Sequence, residues 1–289
     1  FWASDSTVYL NQGRQIGRTG SFVFDDALLA DTPPDTREAL FRSTAVGDVT
    51  GVHARFPGGF LIPDISEPRV TAGFSPLLPV LTALYYELFG LRGALFVSAT
   101  FAMLGVCALY FVGARLSGHV AGVFAAGLLA VSFPQIWFAK FGMPAVLAQF
   151  FVLAGVLTLA RAVDTRNPPL AAAAGCLVGL AIFAKFDLIV VIPVAMLCLV
   201  IVALLTTSRS TLVIVACFVV ASAVPWAHNV AHFTMLPSHY GPFMARMVET
   251  SYLLRPLRAA GAALSLSTAE WLVGVGLLLL VGAALGVWA

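Results

Sequence analysis

The chain has 289 residues, 60% of them hydrophobic and 10% charged. A soluble domain carries about 25% charge, so the composition excludes one and points to an integral membrane protein with several apolar stretches. A net charge of +2 is too small for a nucleic-acid-binding surface. The cysteines, Cys107, Cys176, Cys198 and Cys217, all lie inside apolar runs with no CxxC pair, and read as small core residues.

The chain opens on Phe1-Trp2, has no basic leader, and stops inside an apolar run at Ala289. This reads as a piece cut at both ends, with Phe1 and Trp2 as interfacial anchors at the exit of a preceding span. The stretch DSTVYLNQGRQIGRTG predicts a helix that starts around Asp5 and ends at Gly17 or Gly20. Asp5 is either its cap or a catalytic carboxylate, and the two roles coexist if one oxygen faces a site. The capping box is incomplete, since no Glu or Gln stands at the third helical position. Tyr9 lies one turn from Asp5 and lines the same pocket. Arg14 and Arg18 share a face, from which they pair with the acids of FDDALLAD or with a phosphate.

Ten of the 14 acids precede residue 93, and DTPPDT, FPGGF and ISEP are dense turn signals. Residues 1–72 are therefore an aqueous segment. Its clustered carboxylates lack the regular ligand pattern and Gly turn of a Ca2+ loop, and read as a solvated surface. His53 and Arg55 in HARFPGGFLIPD are candidate phosphate contacts, because Gly58-Gly59 permit close backbone approach. A plain surface His is the other reading. GFSPLLPVLTALYYELFG, residues 73–90, predicts a short helix in or dipping into the interface, with a full span as the alternative.

Seven spans follow, at 93–113, 119–136, 144–162, 170–184, 188–206, 211–228 and 270–289. The domains are thus an outer segment at 1–92, six spans within 93–228, an outer loop at 229–268 and a last span at 269–289. Alternate connections place Arg115, Arg161, Arg166 and Arg209 on one side and the chain's two lysines, Lys140 and Lys185, on the other. The arginine-rich side is taken as cytoplasmic, which puts residues 1–92 outside with both lysines. Each lysine is either a snorkelling side chain or a clamp for a lipid phosphate. Lys185 has Asp187 as a local ion-pair partner. His228 and His232 stand at i, i+4 but lack a companion acid, and read as an interfacial pair. Arg246, Arg255 and Arg258 in the second outer loop suit lipid headgroups or an anionic acceptor.

The order of these features resembles the GT-C membrane glycosyltransferases, in particular protein mannosyltransferases and the aminoarabinose transferase of lipid A. The resemblance covers roughly residues 3–207. It rests on DSTVYLNQGRQIGRTGSF, FSPLLPVLTALYYELFG, YFVGARLSGHVAGVFAAGLLAVSFPQIWFAK and AGCLVGLAIFAKFD in that order. It implies an all-α polytopic bundle whose long extracytoplasmic first loop carries short interfacial helices. It also implies transfer of a sugar from a polyprenyl-phosphate carrier to an acceptor outside the cytoplasm, at the plasma or inner membrane. The family's acid in the first outer loop maps onto Asp5, as base or acceptor orienter, and the Lys closing the GLA span maps onto Lys185, near the carrier phosphate. Two departures stand out. Relatives often carry Asp-Glu where this chain has Asp5-Ser6, and many carry an acid where this chain reads FGMPAVLAQFF. A Lys or His before the Pro of the LFG helix is replaced by Phe74-Ser75, for which His53 and Arg55 are the substitutes.

The expected phosphate contacts are Lys185, then Lys140, Arg55 and His53. No organic cofactor is expected, since neither GxGxxG nor GKS/T occurs; a divalent metal is left open. Expected partners are the lipid-linked sugar, an extracytoplasmic acceptor and the bilayer, with no nucleic acid. The Ala/Arg/Gly-rich, Lys-poor composition suits a bacterial type. Two rivals remain. A lipid-linked substrate transporter or flippase should show repeats and charges at mid-span. A GT-C relative that binds the carrier without transferring is suggested by the absent second acid.

Overall fold

The computed structural model describes residues 5–41, 54–57, 60–206 and 208–235. His53, the span expected at 270–289 and most of the expected loop 229–268 lie outside the described residues. Helices dominate, as the all-α membrane class requires. Leu77–Val131, Ala145–Thr165 and Arg209–Asn229 are long and apolar enough to cross a membrane.

The outer segment begins with α1 (Asp5–Thr19), which ends at Gly20 with φ +67°. Then come β1 (Val23–Asp25), α2 (Ala27–Asp31), α3 (Pro34–Phe41), β2 (Ala54–Phe56), β3 (Phe60–Ile62) and β4 (Arg69–Ala72). The strands form one antiparallel sheet in the order β1-β4-β3-β2, with Val23 opposite Thr71, Leu61 opposite Thr71 and Phe56 opposite Phe60. This sheet adds to the short helices expected for the segment. Leu29 of α2 and Phe60, Ile62 and Val70 of the sheet are buried together, with Phe24, Phe41 and Phe56 against them.

Polar groups fasten the layer. The Asp26 carboxylate caps α2, accepting from Leu28 N at 2.9 Å and Leu29 N at 3.3 Å. Buried Arg37 donates to the carbonyls of Thr32, Ile65 and Ser66 at 2.6, 3.3 and 3.1 Å, tying α3 to the β3–β4 connection. Asp25 pairs with Arg69 at 3.6 Å; the expected partners were Arg14 and Arg18. At the β3–β4 turn the hydroxyl and backbone N–H of Ser66 both donate to Asp64. They hold that carboxyl below the usual range, since they favour its ionised form.

The bundle comprises α4 (Leu77–Val131), α5 (Phe133–Lys140), α6 (Ala145–Thr165), α7 (Pro168–Ala184), α8 (Leu188–Thr206) and α9 (Arg209–Met235). α4 is broken at Gly90 (φ +68°) and at Ser117-Gly118, where Gly118 has φ +86°. It is therefore three segments, 77–89, 91–116 and 119–131. The first would rise only about 20 Å, short of the roughly 30 Å of a hydrocarbon core. The second and third form a hairpin. The hydroxyl of Tyr110 bonds His119 Nδ1 at 2.9 Å, and Gly122 lies against the Tyr110 carbonyl.

α7 is the central helix, packed between α6 and α9. Small residues make this possible, as they do wherever helices approach closely in lipid. A Cβ on Gly155 of α6 would lie 2.5 Å from Val178 Cγ2, and one on Gly179 would lie 2.6 Å from Pro225 Cγ. One on Gly175 would collide with the Phe218 carbonyl oxygen and lie 2.9 Å from Ala221 Cβ. Gly175→Val is therefore expected to cost about 1–3 kcal/mol through overpacking against backbone. Unfolding of the purified protein in detergent measures this, and a loss below about 0.5 kcal/mol would mean a looser interface. Trp226 adds a tie from α9 to α8, its Nε1 donating to the Ile189 carbonyl at 2.9 Å.

Candidate active site at one end of the bundle

Four separate parts of the chain meet at one end of the bundle because their apolar residues share one core cluster. Tyr9 of α1, Leu78 of α4, Val146 and Leu147 of α6, and Ala181 and Ala184 of α7 are buried together, with Phe74 packed against them. Three of the four carry a candidate site residue close by in sequence. Asp5 is one turn before Tyr9, Lys140 precedes the turn into α6, and Lys185 follows Ala184.

α1 is seated by two glycines one turn apart. A Cβ on Gly13 would lie 2.6 Å from Thr82 Cβ and 3.0 Å from the Pro79 carbonyl, and one on Gly17 would lie 3.0 Å from Glu87 Oε1. Both contacts advance in the same direction along α4, so α1 runs parallel to its first segment. Its starting turn then falls beside the α5–α6 turn, where a Cβ on Gly142 would lie 3.9 Å from Ser6 Cβ. Val8, Tyr9 and Gln12 are buried on this face.

Asp5 is the first described residue of α1. A carboxylate there complements the positive end of the helix dipole. The side chain of Asp5 lies outside the described atoms. Tyr9 is 4% exposed, with its ring 5.3 Å from that of Phe74; it is core packing beneath the site rather than an open pocket wall. Lys185 caps α7 in extended conformation, its N–H donating to the Ala181 carbonyl at 3.0 Å. Its Nζ is 3.0 Å from Asp187 Oδ2, and both side chains are about half exposed or more. Lys140 ends α5, exposed, with Nζ 5.8 Å from the centre of the Phe141 ring. Arg55 stands in β2 opposite Leu61, away from these residues in the chain, and its side chain lies outside the described atoms. His53 lies outside the described residues.

Lys140 also borders an apolar cleft of about 460 Å³, whose walls include Ala102, Met103, Ile136 and Ala139. Gln135 holds the cleft's shape, buried and donating to the Ala102 carbonyl at 3.1 Å. Two buried groups near the shared cluster escaped the sequence reading. The hydroxyls of Ser75 and Ser98 have no hydrogen-bond partner among the described residues. Ser75 directly precedes Pro76, which was a readable signal; Ser98, inside an apolar helix, gave none. Asn229, one turn past Pro225 in α9, is fully buried, with neither side-chain atom bonded among the described residues. The neighbouring His228 stacks on Phe183 at 5.6 Å, and the side chain of His232 lies outside the described atoms. Among the described residues no group of three or more His, Cys, Asp and Glu side chains is placed to hold a metal ion.

The opposite end gathers the arginine-bearing connections. Arg115, at the end of the second α4 segment, pairs with Asp164, near the end of α6, at 2.5 Å. The two ends of the bundle therefore differ in chemistry, with lysines beside α1 at one and arginines at the other. No curated protein matches the chain closely enough to count as a relative. The sequence profile of the dolichyl-phosphate-mannose-protein mannosyltransferase family matches residues 72–227, from the end of β4 to α9. The chain belongs to this family of multi-pass membrane glycosyltransferases of GT-C type.

Proposed function

We propose that the chain transfers a sugar from a polyprenyl-phosphate carrier to an extracytoplasmic acceptor, at the end of the bundle where α1 meets the α5–α6 and α7–α8 turns. The observation that supports this most is the shared core of Tyr9, Val146 and Ala184. It draws an acid-bearing helix turn and two lysine-bearing turns to one membrane face. In this reading the acceptor hydroxyl attacks the anomeric carbon as the sugar–phosphate bond breaks. The phosphate leaves with the bonding electrons, and the hydroxyl proton passes to the Asp5 carboxylate. The product is inverted at the anomeric carbon. Base catalysis of this kind contributes about 10²–10⁴-fold, and positive charge on the departing phosphate contributes further.

Lys185 is the proposed phosphate contact and Lys140 a second. The existing partner of Lys185 is no obstacle, because an exposed ion pair is worth only about 0–1 kcal/mol, whereas a hydrogen bond to a charged phosphate contributes about 1.5–3 kcal/mol. The phosphate therefore displaces Asp187. The cleft beside Lys140 suits the first isoprene units of the carrier, since its walls are apolar and its charged residue stands at the rim. In this reading the arginine-rich end is cytoplasmic and this face lies outside the plasma or inner membrane.

The test uses purified protein, a labelled polyprenyl-phosphate sugar and a hydroxyl acceptor. Lys185→Ala is expected to lower kcat/KM for the carrier by roughly 10- to 150-fold. Asp187→Asn, which only frees the lysine, is expected to leave it unchanged or raise it. Equal rates for wild type and Lys185→Ala would remove Lys185 from the site. Carrier binding without transfer, with competent acceptors present, would favour the carrier-binding relative that does not transfer; vectorial movement of the lipid-linked sugar would favour a flippase.

A further inference from the structure

The arginine end of the bundle holds a second cavity, of about 500 Å³, between the second segment of α4, α6 and the start of α7. One part of its lining is apolar, supplied by Phe111, Leu157 and Leu170; the other part carries Arg115, Arg161 and Asp164. The two threonines present have spent their hydroxyl protons on their own helix. Thr158 donates to the Ala154 carbonyl at 2.7 Å and Thr165 to the Arg161 carbonyl at 2.8 Å. Donors remaining for a guest are therefore the guanidinium groups. Arg115 is held by Asp164 at 2.5 Å, with both side chains about one-third exposed. Arg161 is exposed and has no ion-pair partner among the described residues. Two positive charges against one negative leave the cavity with a formal charge of +1.

We infer that this cavity binds the phosphate headgroup of an anionic phospholipid from the leaflet at the arginine end. Arg161 is the principal phosphate contact, Arg115 a second one fixed in place by Asp164, and the apolar wall takes the upper acyl chains. A planar guanidinium meets two phosphate oxygens at once, which favours arginine over lysine for such a contact. Basic pockets between helix ends are the usual form of headgroup sites. Along α6 the lining begins at Leu157, about 18 Å from the helix start at the lysine end, and Arg161 stands about 24 Å from it. The cavity is therefore separate from the proposed carrier site.

Delipidated full chain in detergent is titrated with dioleoyl phosphatidylglycerol or dioleoyl phosphatidylcholine, and native mass spectrometry counts the lipid retained. Wild type is expected to retain the anionic lipid about tenfold more tightly than the zwitterionic one, and Arg161→Gln to remove that preference. Arg161→Lys, which keeps the charge, is expected to retain part of it and shows that the position tolerates change. Arg209→Gln removes a charge at the same end of the bundle but outside the cavity, and is expected to keep the full preference. Equal retention of the two lipids by wild type would overturn the site. So would an undiminished preference in Arg161→Gln, or an equal loss in Arg209→Gln, which would mean diffuse surface charge. Displacement of the lipid by millimolar inorganic phosphate would identify a soluble anion as the guest and overturn the lipid.

Discussion

Asp5→Asn is expected to reduce sugar transfer by about 10²–10⁴-fold while leaving carrier affinity and thermal stability unchanged, the signature of a lost general base. Asparagine suits this test better than alanine. It matches aspartate in size and caps a helix start about equally well, so a structural role of Asp5 survives the change. Seating of α1 through Gly13, Gly17 and Tyr9 does not depend on the carboxylate. What disappears is proton acceptance. Steady-state kinetics with a labelled carrier, beside a melting curve, separates the outcomes. Undiminished transfer would exclude Asp5 from the chemistry. A fall in melting temperature matching the fall in rate would make it a structural residue. The test bears especially on this chain, because Ser6 stands where relatives often have a second acid and FGMPAVLAQFF supplies none later.

The bundle was legible because apolar runs of span length and basic connections are strong signals in a sequence. The turn at ARLSGH is the break at Ser117-Gly118, and the LFG motif ends the first α4 segment at Gly90. The sheet was not legible. Its strands are three or four residues long, too short to display a two-residue period, and the Val23–Thr71 pairing joins positions 48 apart in sequence. FPGGF was read as a turn, but its flanks Phe56 and Phe60 pair with each other as strand residues.

The candidate site was legible in its charges and not in its assembly. Lys185 with Asp187 two residues on announced the ion pair that forms. Lys140 and Lys185 could be assigned to one face by counting connections. The docking of α1 had no such signal. Its buried face is Val8, Tyr9, Gln12 and Gly13, half of it polar or without a side chain, and a hydrophobic period does not reveal a face built that way. Gly17 and Gly20 were both read as possible ends of the helix, and Gly20 is the one where it ends. Gly17 is instead a contact point inside the helix, opposite Glu87.

That contact supports a prediction as large as the first but different in kind. Gly13→Leu is expected to abolish transfer by unseating α1 rather than by removing a chemical group. A Cβ at Gly13 would lie 2.6 Å from both Thr82 Cβ and Cγ2, and 3.0 Å from the Pro79 carbonyl, so helix backbone as well as side chain stands in the way. The cost is about 1–3 kcal/mol of overpacking. α1 relieves it by moving off α4, which also draws Tyr9 out of the core it shares with α6 and α7. The move takes Asp5 away from the α5–α6 turn, and even about 1 Å of misplacement costs up to roughly 10²-fold in rate. Gly127→Leu is the control: nothing lies within 4 Å of a Cβ there, and stability and rate are expected to match wild type. A crosslink between cysteines at positions 6 and 142, whose Cβ atoms would be 3.9 Å apart, reports the position of α1 directly. It is expected to form in the otherwise wild-type protein and to fail with Gly13→Leu. Crosslinking that persists while transfer is lost would show that α1 stays seated, and would return the effect of Gly13→Leu to local packing against Pro79 and Thr82.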